Sequence, residues 1–303
     1  MKISLLKKRF LDELHVYPSS ERLVFFQRLC AAYLNLKPHQ IVLNYGKEVS
    51  ASDLSSFEQA LIRLKNHEPV QYILGQTSFF GLTFSVSASV LIPRPETEEL
   101  VAWILNHFDP SDAPKIIDLG TGSGCIAIAL AHALPNAEVF ALDVSPDALE
   151  LAHFNAKANE VKVNFIEANM LEWNSNKDFD VVVSNPPYVC KQERELMKDN
   201  VLAYEPHLAL FVPDEAPLVF YKALKDIALN NLKSSGFCFA EINEQYGNET
   251  KALFDALNFE NRVIKKDTFG KDRMLKAQKN KLFFVFFTLI LWTEFSILVA
   301  TKT

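Results

Sequence analysis

The sequence predicts an α/β fold: a doubly wound, mostly parallel seven-stranded sheet, with an N-terminal helical domain and a small β-hairpin linker ahead of it. Three observations predict it. From residue 115 short apolar runs alternate with amphipathic stretches, as strands and crossover helices do around a parallel sheet. Residues 1–75 carry apolar side chains at helix-like spacing. The stretch 70–92, VQYILGQTSFFGLTFSVSASVLI, is rich in β-branched and aromatic residues with Gly75 and Gly81 as breaks, which reads as a hairpin or strand pair.

In the helical domain, LLKKRFLDEL, ERLVFFQRLCAAYL and SSFEQALIRLKNH are the predicted helices. Ser19 and Ser20 precede the second and Asp53 to Ser56 the third, all of them helix-capping residue types. Residues 1–78 hold ten Lys/Arg against seven Asp/Glu, so this arm is mildly basic in a chain of net charge -6. Two readings stand for it: a solvated helical surface, or a docking arm for a large partner. The linker is placed at 76–92. PRPETEEL then opens a helix, and Glu96, Glu98 and Glu99 crowd its first turn, where acids suit the positive end of the helix dipole.

The α/β domain is placed at 93–278. KIIDLG is a strand, Ser123 to Leu134 a helix, AEVFALDV a strand and Pro146 to Asn159 a helix. VKVNFIEAN and FDVVVSN are strands, APLVFYKALKDIALNNL a helix, GFCFAEIN a strand and YGNETKALFDAL a helix. FENRVIKKDTF and RMLKAQ complete the seven strands. Residues 279–303 break the pattern, because Leu282 to Ala300 form a 19-residue apolar run interrupted by Glu294. Its length barely suits a membrane span, and a central charge costs about 2.5–3.5 kcal/mol on insertion. Three readings stay open: a weak membrane tether, a helix packing on the domain or on a second copy, and an extension without an evolved role.

Composition excludes several classes. The four cysteines, Cys30, Cys125, Cys190 and Cys238, are far apart, which argues against a zinc site or disulfide framework and for a reducing cytoplasm. The seven histidines are scattered without metal-binding spacing, so no metal site is predicted. MKISLLKKRF carries charges where an export signal needs an apolar run. The acidic balance argues against a protein built to coat nucleic acid.

The chemistry concentrates at three places. DLGTGSGC, with Gly120, Gly122 and Gly124, is a tight strand-to-helix turn against which a ligand can lie. Asp143 ends the next strand, where a carboxylate can accept both hydroxyls of a ribose; the bland alternative is a helix-initiating acid beside the capping types Ser145 and Asp147. Loop and acid together favour a nucleoside cofactor. In VVVSNPPYVC a strand ends at Asn185-Pro186-Pro187-Tyr188. The Asn185 carbonyl and the Pro186 carbonyl form a rigid pair of acceptors matched to an NH2 group, and Tyr188 offers a flat face. A turn of this kind suits an amide or an aromatic amine; the bland alternative is a proline-rich strand terminus.

With these motifs the chain resembles the class I S-adenosylmethionine methyltransferases that carry an NPPY motif. More narrowly, it resembles the release-factor glutamine methyltransferases of the HemK or PrmC type. The resemblance rests on LIPRPETE at 91–98, DLGTGSG at 118–124, Asp143, SNPPY at 184–188, YEPHLAL at 204–210 and KDTFGKDRMLKAQ at 266–278. It covers about residues 1–278. NPPY is shared with adenine-amino methyltransferases, and the PRPETE block separates the chain from the ribosomal-protein glutamine methyltransferases. The resemblance implies S-adenosyl-L-methionine as cofactor and methyl transfer to the glutamine of the Gly-Gly-Gln loop of peptide-chain release factors. It places Gly120, Thr121, Gly122, Ser123, Gly124, Asp143, Asn169, Met170 and Asn185 on the cofactor. It places Asn185, Pro186, Pro187 and Tyr188 on the substrate, with Asn185, Pro186 and Tyr188 catalytic. Many relatives have Asp where Asn169 stands, and the tail after Gln278 has no counterpart. Two alternatives are kept: an adenine-amino methyltransferase acting on DNA or RNA, which would want a basic groove, and a non-catalytic scaffold, which would predict a broken motif. Direct binding of nucleic acid is not expected.

Overall fold

The structure is a computed structural model that describes residues 1–281; the apolar run 282–300 lies outside the described residues. Among the described residues no helix is long and apolar enough to cross a membrane.

The chain begins with α1 (Ile3–Glu13), α2 (Ser19–Leu34), α3 (Pro38–Leu43), α4 (Ala51–Lys65) and α5 (Val70–Leu74). Their apolar faces meet around Phe10, Phe26 and Phe57, whose rings lie 5.6 and 5.9 Å apart in succession. The caps differ from expectation. Ser19 and Ser20 are the first residues of α2, with Pro18 before them. Helix α4 starts earlier than predicted, because Ser50 caps it by accepting the Asp53 N–H at 3.1 Å. Helix α5 takes the first residues of the stretch whose composition predicts extended chain. Pro69 precedes it, Gly75 ends it at φ 68°, and Val70, Tyr72 and Ile73 bury one side, so packing overrides β propensity.

The hairpin is β1 (Gln76–Phe79) and β2 (Leu82–Ser85), antiparallel. Phe80 and Gly81 connect them with φ 49° and 78°, the left-handed pair of a tight two-residue hairpin turn. Residues 86–92 carry no strand.

Next come α6 (Pro95–Leu105), β3 (Lys115–Leu119), α7 (Cys125–Ala133), β4 (Glu138–Asp143), α8 (Pro146–Ala158), β5 (Asn164–Glu167) and β6 (Phe179–Ser184). Short elements follow: β7 (Val189–Cys190), α9 (Asp199–Tyr204), α10 (His207–Leu210) and β8 (Phe211–Val212). The domain ends with α11 (Val219–Asn231), β9 (Leu232–Glu241), α12 (Gly247–Leu253), β10 (Phe259–Lys266) and β11 (Asp272–Lys279). Seven strands form one sheet in the order β10-β11-β9-β6-β3-β4-β5, with the run from β9 to β5 parallel and β11 antiparallel to its neighbours. The fold class is the one the alternation predicts. Strand β9 begins four residues before the predicted Gly236, because its opening residues Lys233 and Ser234 are exposed and carry no apolar signal.

Period-2 alternation splits the sheet between two cores. Ile116, Val181, Val183 and Phe239 face α6 and α7, while Ile117, Val182, Cys238 and Ala240 face α11. Strand order reverses at β3, whose neighbours are β4 on one side and β6 on the other. A ligand crevice belongs at the carboxyl ends of these strands. Leu119 pairs with Ser184, and the Ser184 hydroxyl donates to the Leu119 carbonyl at 2.6 Å, so the glycine loop and Asn185 leave the sheet side by side.

Two expectations follow. Gly124 sits at φ 81°, and a Cβ there would lie 2.8 Å from Ile128 Cδ1 and 3.1 Å from Ala152 Cβ on α8. Gly124→Ala is expected to cost about 1–3 kcal/mol, from left-handed strain and overpacking, read as a lower urea midpoint. The α/β domain also runs past Gln278: Lys279 closes β11, and Asn280 donates its N–H to Asn258 O at 2.9 Å and its side chain to Leu257 O at 2.9 Å. A chain ending at Lys281 is expected to melt cooperatively, and one ending at Lys279 to be less stable than it by about 1–2 kcal/mol for the two lost bonds.

Candidate active site

The glycine loop is held from below by β4. The N–H groups of Gly120 and Thr121 both donate to Leu142 O, at 2.8 and 2.9 Å. The Thr121 hydroxyl donates to Asp118 Oδ2 at 2.6 Å. Asp118 is fully buried, and burial pushes its carboxyl up to about 7; the Asp143 charge adds to this, while the Thr121 hydroxyl and the Ala127 N–H oppose it. Asp143, at the end of β4, accepts the Gly122 N–H at 2.8 Å through one carboxylate oxygen and the Ser145 N–H at 2.9 Å through the other. Ser145 in turn caps α8 by accepting the Ala148 N–H at 3.3 Å. Ser145, rather than Asp143, is thus the N-cap of α8, and each Asp143 oxygen keeps capacity for a second hydrogen bond.

Asp143 lines a cavity of about 420 Å³ at the carboxyl ends of the strands. Of the residues placed on the cofactor, Gly120, Thr121, Gly122, Ser123, Asp143, Asn169, Met170 and Asn185 line it. Gly124 does not; it lies under the loop, where it lets α7 approach α8. Pro187, placed on the substrate, also faces this cavity. Arg94, Thr97, Leu208 and Phe220 line it too and carried no individual signal. A second cavity of about 220 Å³ is lined by Pro186, Tyr188, Met197 and Glu241. Asn185 stands in the wall common to both cavities.

A buried polar set supports this wall. The Asn185 side-chain amide donates to Thr97 Oγ1 at 3.2 Å. The Thr97 hydroxyl donates to Glu241 Oε2 at 2.7 Å, and the Tyr188 hydroxyl donates to Glu241 Oε1 at 2.8 Å. Glu241 is 2% exposed; burial pushes its carboxyl above the ordinary range, while the two hydroxyls and the Arg273 guanidinium pull it back. Burial, and then the Glu241 charge, hold the Tyr188 phenol well above its usual range, so it remains a donor. The Asn243 side chain donates to the Tyr188 carbonyl at 3.0 Å. One signal could have found Glu241: an acid at the carboxyl end of an apolar strand, the same signal that singles out Asp143.

Comparison with known proteins bears on most of the chain. The family profile described as Methyltransferase small domain matches residues 99–207, and the one described as PrmC N-terminal domain matches residues 9–75. A release factor glutamine methyltransferase of Flavobacterium psychrophilum is 47% identical over 86% of this chain and 93% of its own length. One of Bacteroides thetaiotaomicron is 38% identical over 87% of this chain and 95% of its own. A solved release-factor-specific protein-(glutamine-N5) methyltransferase from Alicyclobacillus acidocaldarius is 26% identical and aligns with a TM-score of 0.40 over 65% of this chain and 99% of that one. At that score the structural likeness adds nothing to the assignment, which rests on the sequence relatives. On their identity and near-complete coverage, this chain belongs to the release factor glutamine methyltransferase family.

Proposed function

We propose that this protein transfers a methyl group from S-adenosylmethionine to the side-chain amide nitrogen of the glutamine in the Gly-Gly-Gln loop of a peptide-chain release factor. The observation that carries the reading is Asn185, set between a cavity fit for the methyl donor and a smaller one fit for an amide.

The residues of the larger cavity suit the donor. Its volume of about 420 Å³ lies within the usual range of ligand pockets, about 300–1,000 Å³. Asp143 has acceptor capacity left for ribose hydroxyls. Ser123 lines the cavity, and its buried hydroxyl oxygen has no hydrogen-bond partner among the described residues. Helix α7 begins at the cavity wall with Cys125 and Ile126, and the positive end of its dipole suits a carboxylate.

When bound, S-adenosylmethionine supplies a methyl group on a positively charged sulfur, which departs as a neutral thioether. The substrate amide nitrogen is a poor nucleophile because its lone pair is delocalised into the carbonyl. Asn185 Oδ1 and the Pro186 carbonyl accept its two hydrogens and turn the lone pair toward the larger cavity. Held this way, the nitrogen departs from amide planarity and becomes more nucleophilic. As the new C–N bond forms, the nitrogen gives up one proton to solvent, so no base acts first. Tyr188 covers the amide, and its hydroxyl is tied back to Glu241. The rigid turn lowers the reorganisation needed at reaction. The mildly basic helical arm is the docking surface for the release factor.

Mass spectrometry of the Gly-Gly-Gln peptide of a release factor, incubated with the full chain and S-adenosylmethionine, tests the reading. A gain of one methyl on glutamine is expected, and an unmodified peptide would refute it. Asn185→Ala is expected to lower turnover by about 10²-fold while cofactor affinity changes far less, since only a positioning contact is lost. Near-normal turnover would remove Asn185 from the reaction. Asp143→Ala removes charge-assisted bonds worth about 1.5–3 kcal/mol each. Calorimetry should then show cofactor affinity at least about tenfold weaker.

A further inference from the structure

We propose that Glu241 and Thr97 are positioning residues that set which end of the Asn185 amide faces the substrate. The proposal rests on the methyl-transfer reading above and assigns the polarity of its central residue.

The argument counts protons. In its ionised form Glu241 has nothing to donate, and it takes one hydroxyl on each oxygen: Thr97 at 2.7 Å and Tyr188 at 2.8 Å. A hydroxyl has a single proton. Thr97 spends its proton on Glu241, so toward Asn185 at 3.2 Å it can only accept. The NH2 end of Asn185 must therefore face Thr97, and its oxygen must face away, toward the meeting of the two cavities. Without this constraint an amide can sit either way round, and the reversed form presents a donor to a substrate NH2 that is itself a donor. Such a clash between two donors opposes binding of the reacting nitrogen. Thr97 is 2% exposed on the first turn of α6, Glu241 is 2% exposed at the end of β9, and both are far in sequence from Asn185. Burying a carboxylate is costly unless it is fully hydrogen-bonded. Here that carboxylate fixes the direction of two neighbouring donors.

An isosteric amide breaks the logic. Glu241→Gln offers one oxygen and one NH2, so it can accept from only one of the two hydroxyls. If its NH2 meets Thr97, the Thr97 proton turns to Asn185 and the amide reverses. If its NH2 meets Tyr188, the phenol oxygen must accept, and the Tyr188 proton loses its partner. Either arrangement releases one of the two hydroxyls that the carboxylate holds.

Three variants of the full chain decide the matter: Thr97→Val, which keeps the shape and loses the hydroxyl, Thr97→Ser, which keeps the hydroxyl and loses a methyl, and Glu241→Gln. Methyl transfer to the Gly-Gly-Gln peptide, cofactor Kd by calorimetry and the thermal midpoint are measured for each. Thr97→Val and Glu241→Gln are expected to lower kcat by about 10²-fold with cofactor Kd within about threefold, and Thr97→Ser to keep kcat within about threefold of the parent. A purely packing role predicts the reverse order, with Val at or above Ser, and that order overturns the proposal. Should Thr97→Val fail to fold, Glu241→Gln with kcat within about threefold of the parent overturns it. A readout independent of turnover is the side-chain 15N–1H pair of Asn185 in labelled protein. It should shift in Thr97→Val and Glu241→Gln and stay in place in Thr97→Ser; an unchanged pair in all three overturns the proposal. Failure of the parent chain to methylate the peptide would condemn the functional reading, while the Asn185 resonances would still decide the relay.

Discussion

The site depends first on one strand pairing. β3 and β6 run parallel in the register that sets Leu119 against Ser184, and the Ser184 hydroxyl locks the last step to the Leu119 carbonyl. The glycine loop and the Asn-Pro-Pro-Tyr turn leave the sheet one residue later, with Gly120 from one strand and Asn185 from the other. A strand rises about 3.3 Å per residue, so a slip of one position would move Asn185 by a full hydrogen-bond length. It would also turn every side chain of β6 to the opposite face and exchange Val181 and Val183 with Val182 between the two cores. The two apolar cores therefore specify the register, and the register specifies where the amide stands. Folding energy and site geometry share one cause.

The second constraint is a set of buried polar side chains that join loops no strand connects. Asn155 on α8 is 1% exposed and uses both ends of its amide. Its oxygen accepts the Ser85 N–H at 2.7 Å, and its NH2 donates to Ser85 O at 3.0 Å and Ser123 O at 2.9 Å. One side chain thus ties the hairpin to the glycine loop. Glu205 is 3% exposed and takes Arg94 and the Ile92 N–H, which fastens the loop before α6 to the start of α10. The Tyr204 hydroxyl reaches Asn66 O at 2.7 Å, and the Tyr72 hydroxyl reaches Val90 O at 2.6 Å, so the helical arm is bound into the same wall. Removing one partner of a buried charged pair costs about 3–5 kcal/mol, whereas replacing the whole pair by apolar residues is often neutral. Stability alone does not call for these groups. Their consistent effect is to hold short, irregular segments in one place around the two cavities.

This division explains what the sequence made legible. Strands and helices long enough to show a period could be read, and so could the glycine loop, Asp143 and Asn185, because each sits next to a strand end. Helix α5 was missed because local composition favoured a strand while Pro69 and Gly75 framed a single helical turn. The segment from Val189 to Val212 holds two-residue strands and a four-residue helix, all shorter than any period can reveal. Thr97 and Glu241 lie 144 residues apart, Thr97 and Asn185 lie 88 apart, and Ser85 and Asn155 lie 70 apart. No local pattern announces such a pair, since its meaning appears only when the sheet brings its ends together. The glycines illustrate the same limit. Gly122 and Gly124 look equivalent in DLGTGSGC, yet one donates to Asp143 at the cavity and the other makes room for a neighbouring helix.

The paired prolines that end β6 now have a physical account. Proline has no N–H, so Pro186 and Pro187 remove two donors from the wall between the cavities and leave carbonyl acceptors. The backbone of the two prolines therefore presents acceptors only. On the Asn185 side chain, one NH2 hydrogen is given to Thr97. In the proposed reaction such a face suits the NH2 of a glutamine and opposes the carboxylate of a glutamate, which would leave buried acceptors facing one another. Sites built to pair a polar group reject analogues that leave it unpaired by about 10⁴–10⁵-fold. In that reaction a preference for the amide over the acid draws on the donors the prolines lack, and the same rigid turn that aims the reacting nitrogen also disfavours its closest chemical relative.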